Sequence, residues 1–125
     1  MERRLYLLGA VAGFLAVALG AFAGHGLKAR LTPDMLAVFE TGVRYQMYHA
    51  FALLAAAWGL GRWQHRAFAL GGWLFVAGIV IFCGSLYVLA LTGERWLGAL
   101  TPVGGLAFLA GWLCLAWGSA SKLHP

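Results

Sequence analysis

Charged residues are scarce in this sequence. Only 10% of its 125 residues are Asp, Glu, Lys or Arg, whereas soluble globular domains carry about 25%. Hydrophobic residues make up 62% of the chain, and the mean hydropathy is +0.81. This composition excludes a soluble globular domain and indicates an integral membrane protein, with the lipid bilayer as its first partner.

The charges that are present do not form a patch. Nine Lys and Arg stand against four Asp and Glu, which gives a net charge of +5. The basic residues are scattered at the edges of the apolar runs, which is typical of membrane anchoring. Nucleic-acid recognition needs a clustered basic surface, so we expect no nucleic acid among the partners.

Motifs for catalysis and metal binding are also absent. The two cysteines, Cys83 and Cys114, have no CxxC spacing and no neighbouring His, and we expect them to be small buried side chains. There is no H-x-x-x-H pair, no nucleophile-and-base motif and no Gly-rich phosphate loop ending in Lys-Ser/Thr. We therefore expect neither an enzyme, nor a metal site, nor a cofactor.

What the sequence does contain is four apolar runs, at about residues 5–24, 42–61, 67–91 and 97–118. Each is about long enough to cross a hydrocarbon core of about 30 Å as a helix. We predict an all-α, polytopic membrane protein, with four transmembrane helices in an antiparallel bundle that form a single domain over residues 1–125.

Two of the runs have small residues at helical spacing, which allow another helix to pack closely. In the first run these are Gly9, Gly13, Ala16, Gly20 and Gly24, and in the fourth they are Gly104, Gly111 and Gly118. We expect both faces to be helix contacts.

The connector after the first span, residues 25–39, contains a helix start. Thr32 is suited to the N-cap, Pro33 to the first helical position and Asp34 to the first turn. We predict a short helical connector here, which continues through Glu40 into the second span with a bend at Gly42.

The stretch from Glu40 to His49 contains ionisable and amide side chains and continues directly into an apolar segment. The apolar part that follows, residues 50–60, has 11 residues, or about 16 Å of helix, so the polar stretch must supply the rest of a span of about 30 Å. His49 lies 13 residues before Arg62, which places it about 20 Å from one membrane surface and about 10 Å below the other.

Polar residues of all four spans are expected at a similar membrane level. They are His25, Glu40, Arg44, Tyr45, Gln46, His49, Ser85, Tyr87 and Thr101. Ionisable groups at this depth cost about 2.5 to 3.5 kcal/mol each on insertion scales, so they persist where they are paired, buried or functional.

Two interpretations of this cluster stay open. In the first, Glu40 and Arg44 form an interfacial ion pair. Tyr45, Gln46 and His49 then form hydrogen bonds that hold the helices together. In the second, the cluster is a ligand pocket that opens on the non-cytoplasmic face. Both require Glu40, Arg44, Gln46 and His49 to be shielded from lipid.

Lys and Arg indicate the orientation of the chain. One side of the membrane holds Arg3, Arg4, Arg62, Arg66 and Lys122, and the other holds Lys28, Arg30, Arg44 and Arg95. The positive-inside rule counts these residues only, and five against four favours both termini in the cytoplasm.

Two classes of function remain. The first is a structural, accessory or ligand-binding membrane protein, present as a homo-oligomer or as a subunit of a larger membrane complex. The second is a small oligomeric transporter or channel. The cytoplasmic halves of the spans, residues 5–12, 53–60, 68–75 and 111–118, contain no Asp, Glu, Lys, Arg or His, which disfavours an ion or proton relay through one monomer.

Three segments carry a resemblance to a known family. They are Gly20-Ala21-Phe22-Ala23-Gly24-His25-Gly26-Leu27, Phe39-Glu40-Thr41-Gly42-Val43-Arg44-Tyr45-Gln46-Met47-Tyr48-His49-Ala50, and Thr101-Pro102-x-Gly104-Gly105. The chain resembles the YgdD-like family of small inner-membrane proteins, a domain of unknown function with relatives in animal cells. The resemblance implies a four-helix, multi-pass protein of the bacterial inner membrane and supplies no activity.

Overall fold

The computed structural model describes residues 1–121, and these form four helices joined by short turns. The helices are α1 (Glu2–Leu27), α2 (Pro33–Trp63), α3 (Arg66–Thr92) and α4 (Arg95–Ala120). A π-helical turn ends α1 at Ala23–Leu27, and another lies inside α3 at Ile79–Cys83. The first turn of α4, Arg95–Ala99, is a 3-10 helix. The prediction of an all-α membrane protein with four helices is confirmed.

Within the described residues, α1, α3 and α4 are long and apolar enough to cross a membrane. The exception is α2, because the polar stretch from Glu40 to His49 occupies its middle. Large apolar side chains cover the outside of the helices, as with Leu113 of α4, which is 70% exposed. Such a surface is costly in water and is favourable against lipid.

The start of α2 follows the predicted capping pattern. Thr32 Oγ1 accepts the Met35 N–H at 3.2 Å, and Pro33 is the first helical residue. The helix has 31 residues and passes through Gly42 without interruption, so the predicted continuation of the helix from Pro33 through Glu40 into the second span is confirmed. Gly42 allows a helix contact, because a Cβ there would lie 2.6 Å from Cε1 of Tyr87.

The small-residue face of α1 packs against α2. A Cβ on Gly9 would lie 3.0 Å from the Ala50 carbonyl oxygen, and one on Gly20 would lie 3.3 Å from Val43 Cγ1. The two helices therefore contact each other in opposite chain order. Gly24 is the exception to the predicted face, since nothing would lie within 4 Å of its Cβ.

The glycines of α4 meet phenylalanines of α3. Phe82, Phe75 and Phe68 pack against Gly104, Gly111 and Gly118 respectively, and all three glycines are buried. Both sets are spaced seven residues apart. The rings of Phe75 and Phe68 fill the space left by the missing side chains of Gly111 and Gly118, and Gly104 lies directly against the backbone and Cβ of Phe82. The predicted close packing of α4 is confirmed.

Candidate functional site

Gln46 connects three helices through its amide group. The side chain is only 4% exposed. Its Nε2 donates to the Ala12 carbonyl oxygen of α1 at 2.9 Å, and its Oε1 accepts the Tyr87 hydroxyl of α3 at 2.6 Å. Both ends of the amide are thus used for contacts between helices.

His49 is held in an aromatic environment between α2 and α4. It is 4% exposed, and its ring stacks on Phe108 with centroids 3.5 Å apart and planes 8° apart. The Trp112 indole N–H donates to His49 Nε2 at 3.2 Å, and Nδ1 lies 2.7 Å from the Tyr45 carbonyl oxygen. Because an indole N–H can only donate, Nε2 is the acceptor and Nδ1 carries the proton. Both nitrogens of this imidazole are therefore occupied.

A hydroxyl pair joins α3 to α4. Ser85 Oγ and Thr101 Oγ1 are 2.7 Å apart, and Ser85 also donates to the Phe82 carbonyl oxygen at 2.9 Å. Both contacts are partly buried. Gln46, His49 and Ser85 therefore each form a hydrogen bond with a group on a neighbouring helix.

Four side chains of α2 were predicted to be shielded from lipid, and they differ in their exposure. Gln46 and His49 are buried, as expected, whereas Arg44 is exposed and Glu40 is half-buried. Arg44 Nη2 donates to Thr41 Oγ1 at 3.2 Å, so its partner is Thr41 and not the expected Glu40. Arg44 is therefore not shielded from lipid by the single chain.

His25 does not join the cluster. It lies in the π-helical turn of α1, and its Nδ1 is 2.8 Å from the carbonyl oxygen of Ala21, four residues earlier in the same helix. His25 is exposed and bonds within its own helix, so it takes no part in the contacts around Gln46 and His49.

An open groove of about 730 Å³ lies between α2 and α4. Tyr45, Tyr48 and His49 line one side, and the other side is lined by Pro102, Gly105, Leu106, Phe108, Leu109 and Trp112, with Phe82 of α3 beside them. Both tyrosines are exposed, Tyr45 by 38% and Tyr48 by 53%. Of the nine residues expected at the site, the groove contains Tyr45 and His49.

The sequence analysis did not include Phe108 and Trp112, two aromatic residues that line the groove, in the predicted site. Phe108 and Trp112 are four residues apart on α4, as Tyr45 and His49 are on α2, so each pair lies on one helix face. That spacing was a usable signal for two aromatic faces. Which helix each face meets depends on tertiary packing, and the sequence does not specify it.

Metal-binding and thiol chemistry receive no geometric support. Among residues 1–121, no group of three or more His, Cys, Asp or Glu is placed to hold a metal ion. Cys83 is a buried free thiol in the core with Leu53, Phe75 and Phe108, and Cys114 is a free thiol that is half-buried.

Comparison with known proteins places the chain in a family. Residues 19–105 match the family model described as protein of unknown function, DUF423. The UPF0382 membrane protein YwdK of Bacillus subtilis is 44% identical over 115 residues, which cover 87% of this chain and 89% of that protein. A UPF0382 membrane protein of Haemophilus influenzae is 43% identical over 122 residues, which cover 95% of each chain.

No solved structure matches the chain. The family match extends from the end of α1 into α4 and includes the whole stretch from Glu40 to His49, and the relatives are similar over most of their length. The protein therefore belongs to the DUF423 family of membrane proteins, whose function is uncharacterised.

Proposed function

We propose that this protein is a non-catalytic accessory membrane protein that binds an apolar ligand in the groove between α2 and α4. The observation that carries the proposal is that the polar groups of the interior are already paired, whereas the surface of the groove is apolar and open. Inside, the Gln46 amide and the His49 imidazole are paired with neighbouring helices. The groove, in contrast, is open and lined mainly by aromatic and aliphatic side chains, as ligand sites usually are.

The proposed membrane arrangement is an antiparallel bundle in which all four helices cross the bacterial inner membrane, with spans at about 5–24, 42–61, 67–91 and 97–118. The opposite chain order of the α1–α2 contacts supports this arrangement. So does the burial of Gln46 and His49, which keeps the polar interior face of α2 away from lipid. In this proposal, the YgdD-like proteins, which the chain resembles, belong to the same family.

Both termini are assigned to the cytoplasm in this proposal. Arg3, Arg4, Arg62 and Arg66 support that side by the positive-inside rule. Lys122, the fifth residue of the count, lies outside the described residues.

The absence of catalysis is part of the proposal. A general acid or base must have a nitrogen or oxygen that is free to exchange a proton with substrate. In His49, one ring nitrogen faces the Trp112 indole and the other faces the Tyr45 carbonyl. This pairing supports a structural role for the buried imidazole.

A second candidate is an assembly, either a homo-oligomer that acts as a small transporter or channel, or a subunit of a larger membrane complex. It is favoured by the polar outer face of α2, where Arg44 and Tyr48 are exposed on a single chain. A neighbouring subunit would shield these groups from lipid, as intramembrane polar residues require.

Native mass spectrometry after purification in mild detergent tests both candidates. We expect a co-purified apolar molecule on the wild-type chain and a strong reduction with Leu109→Trp, because Leu109 lines the groove. The matched control is Leu113→Trp, one turn further along α4 and also exposed. Equal retention by the two variants, or a wild-type chain with nothing bound, would contradict the ligand proposal. Multiples of the chain mass would support the oligomer.

A further inference from the structure

We propose that the groove binds a glycerophospholipid with a primary ammonium headgroup. Its phosphate lies at Arg44, its headgroup ammonium at Glu40, its ester region at Tyr45 and Tyr48, and one acyl chain along the groove. The inference depends on the proposed function, in which this groove is a binding surface.

The length of the groove matches one leaflet of a bilayer. Along α4 its lining extends from Pro102 to Trp112, a distance of about 15 Å at the helical rise, which is half of a hydrocarbon core of about 30 Å. Its volume of about 730 Å³ lies in the range of about 300 to 1,000 Å³ that is usual for ligand sites. A single acyl chain fits a groove of this length, with its end beside Trp112.

The two walls of the groove differ in polarity, and its polar groups lie on the α2 side. The α4 wall is aliphatic at Leu106 and Leu109, while Tyr45 and Tyr48 lie on the α2 side. Long side chains of a helix lean toward its N-terminus, which for α2 is the proposed non-cytoplasmic surface. The two tyrosine hydroxyls therefore lean toward the level of the lipid esters, whose carbonyl oxygens accept hydrogen bonds from hydroxyl donors. Tyrosine is enriched at this level of membranes.

The charges beyond the tyrosines are arranged in the same order as those of the headgroup. Glu40, Arg44 and Tyr48 follow at intervals of four residues, so they form one stripe on α2 with steps of about 6 Å. Arg44 is exposed and is bonded to the neutral Thr41 hydroxyl. The guanidinium suits phosphate oxygens, with which it forms charge-assisted bonds.

Glu40 lies about one turn further out than Arg44 and is half-buried. In a phospholipid with an ethanolamine headgroup, the ammonium likewise lies beyond the phosphate. A carboxylate at this position selects an ammonium with N–H donors over a neutral glycerol headgroup, which has no positive charge to offer. The stripe therefore distinguishes one headgroup from another.

The test is native mass spectrometry of the delipidated full chain with four lipids of identical acyl chains: phosphatidylethanolamine, phosphatidylglycerol, phosphatidylcholine and diacylglycerol. We expect phosphatidylethanolamine to bind most tightly and diacylglycerol least. Arg44→Gln should weaken all three phospholipids about tenfold, or about 1.4 kcal/mol, because it removes the charge from the group that binds the phosphate. Glu40→Gln should remove the preference for phosphatidylethanolamine over phosphatidylglycerol.

Control variants separate the two proposals. Arg30→Gln removes an exposed arginine of the α1–α2 turn and should bind lipid as the wild type does, and Arg44→Lys should retain part of the phospholipid affinity. Diacylglycerol binding as tight as phosphatidylethanolamine binding, or equal behaviour of Arg44→Gln and Arg30→Gln, would overturn the phospholipid assignment and leave the apolar-ligand groove in place. Loss of all four lipids from the wild type would instead refute the proposed function.

Discussion

Gln46 is the residue whose side chain ties most of the structure together. Its amide reaches a backbone carbonyl of α1 and a hydroxyl of α3 from a position on α2. Hydrogen bonds between helices in membranes contribute about 0.6 kcal/mol on average and up to about 1.7 kcal/mol. Their value here is geometric as well, because two bonds to different helices fix the rotation of α2 between them.

A double-mutant cycle measures this residue directly. We expect Gln46→Leu to lower the free energy of unfolding by about 1 to 2 kcal/mol, because it removes two such bonds, and Tyr87→Phe by about 0.6 to 1.7 kcal/mol, because it removes one. The double variant should lose less than the sum, since both changes remove the same bond. Reversible unfolding in mixed micelles gives all three values.

The control is Tyr48→Phe, which removes a hydroxyl from an exposed tyrosine on α2. It should change the free energy of unfolding by less than about 0.5 kcal/mol, as surface substitutions usually do. Additive losses for Gln46→Leu and Tyr87→Phe would contradict the hydrogen bond as a source of stability.

At this scale the sequence predicted burial better than it predicted partners. Span length placed His49 and Gln46 inside the membrane, and both are buried, because a polar group at that depth has to be covered by protein. The partners of His49, Trp112 and Phe108, lie more than fifty residues away in the chain. Such a distant contact depends on how α2 and α4 pack, and no local pattern reports it.

Among the elements, α3 and α4 form the most regular contact. Phe68, Phe75 and Phe82 recur at seven-residue spacing along α3, and each lies against one of three glycines of α4. Without a hydrophobic force between helices in lipid, this kind of close packing is what holds two helices together. The contact should therefore be intolerant of any added side chain on the glycine side.

Gly104→Ala tests the tolerance of this contact. Its new Cβ would lie 2.7 Å from Phe82 Cβ and 2.8 Å from Phe82 Cα, so the backbone of one helix must move. We expect a loss of about 1 to 3 kcal/mol in the free energy of unfolding, the usual range for overpacking. Reversible unfolding in mixed micelles measures the change.

Gly84→Ala on α3 is the matched variant, because nothing would lie within 4 Å of its Cβ. It should be neutral or should stabilise the protein by about 0.4 to 1 kcal/mol, since Ala restricts the unfolded chain more than Gly does. If both alanine variants behaved alike, close packing of Gly104 would not be a source of stability.

The number of helices and the start of α2 were predictable from sequence because each has a local signal. Apolar runs ended by charged turns mark the helices, and Thr32-Pro33-Asp34 marks a capped start. The predicted bend at Gly42 had only composition behind it, and the close approach of Tyr87 accounts for that glycine instead. The π-helical turns had no signal, since no residue type distinguishes them from regular helix.

For the whole molecule, the proposed orientation depends on a difference of one residue, five Lys and Arg against four. We expect green fluorescent protein fused at the C-terminus to be fluorescent, because it folds in the cytoplasm. Alkaline phosphatase inserted after Lys28 should be active, because it folds on the other side. Reporter activity in intact cells measures both.

The narrow margin makes the orientation sensitive to charge. Replacing Arg62 and Arg66 with Gln leaves three cytoplasmic Lys and Arg against four and should produce a mixed or inverted population. An active phosphatase at the C-terminus of the unchanged protein would refute the assignment.

The π-helical turn at Ile79–Cys83 changes the face of α3 on which the following residues lie. The Gly84 N–H reaches the Ile79 carbonyl oxygen, five residues back, so this turn holds one residue more than an α-helical turn. Each residue of a regular helix advances about 100°. Removing one residue here would therefore rotate Ser85 away from Thr101, and Tyr87 away from Gln46, in a single step. The number of residues in this turn, rather than their identity, sets the registration of α3 with both of its neighbours.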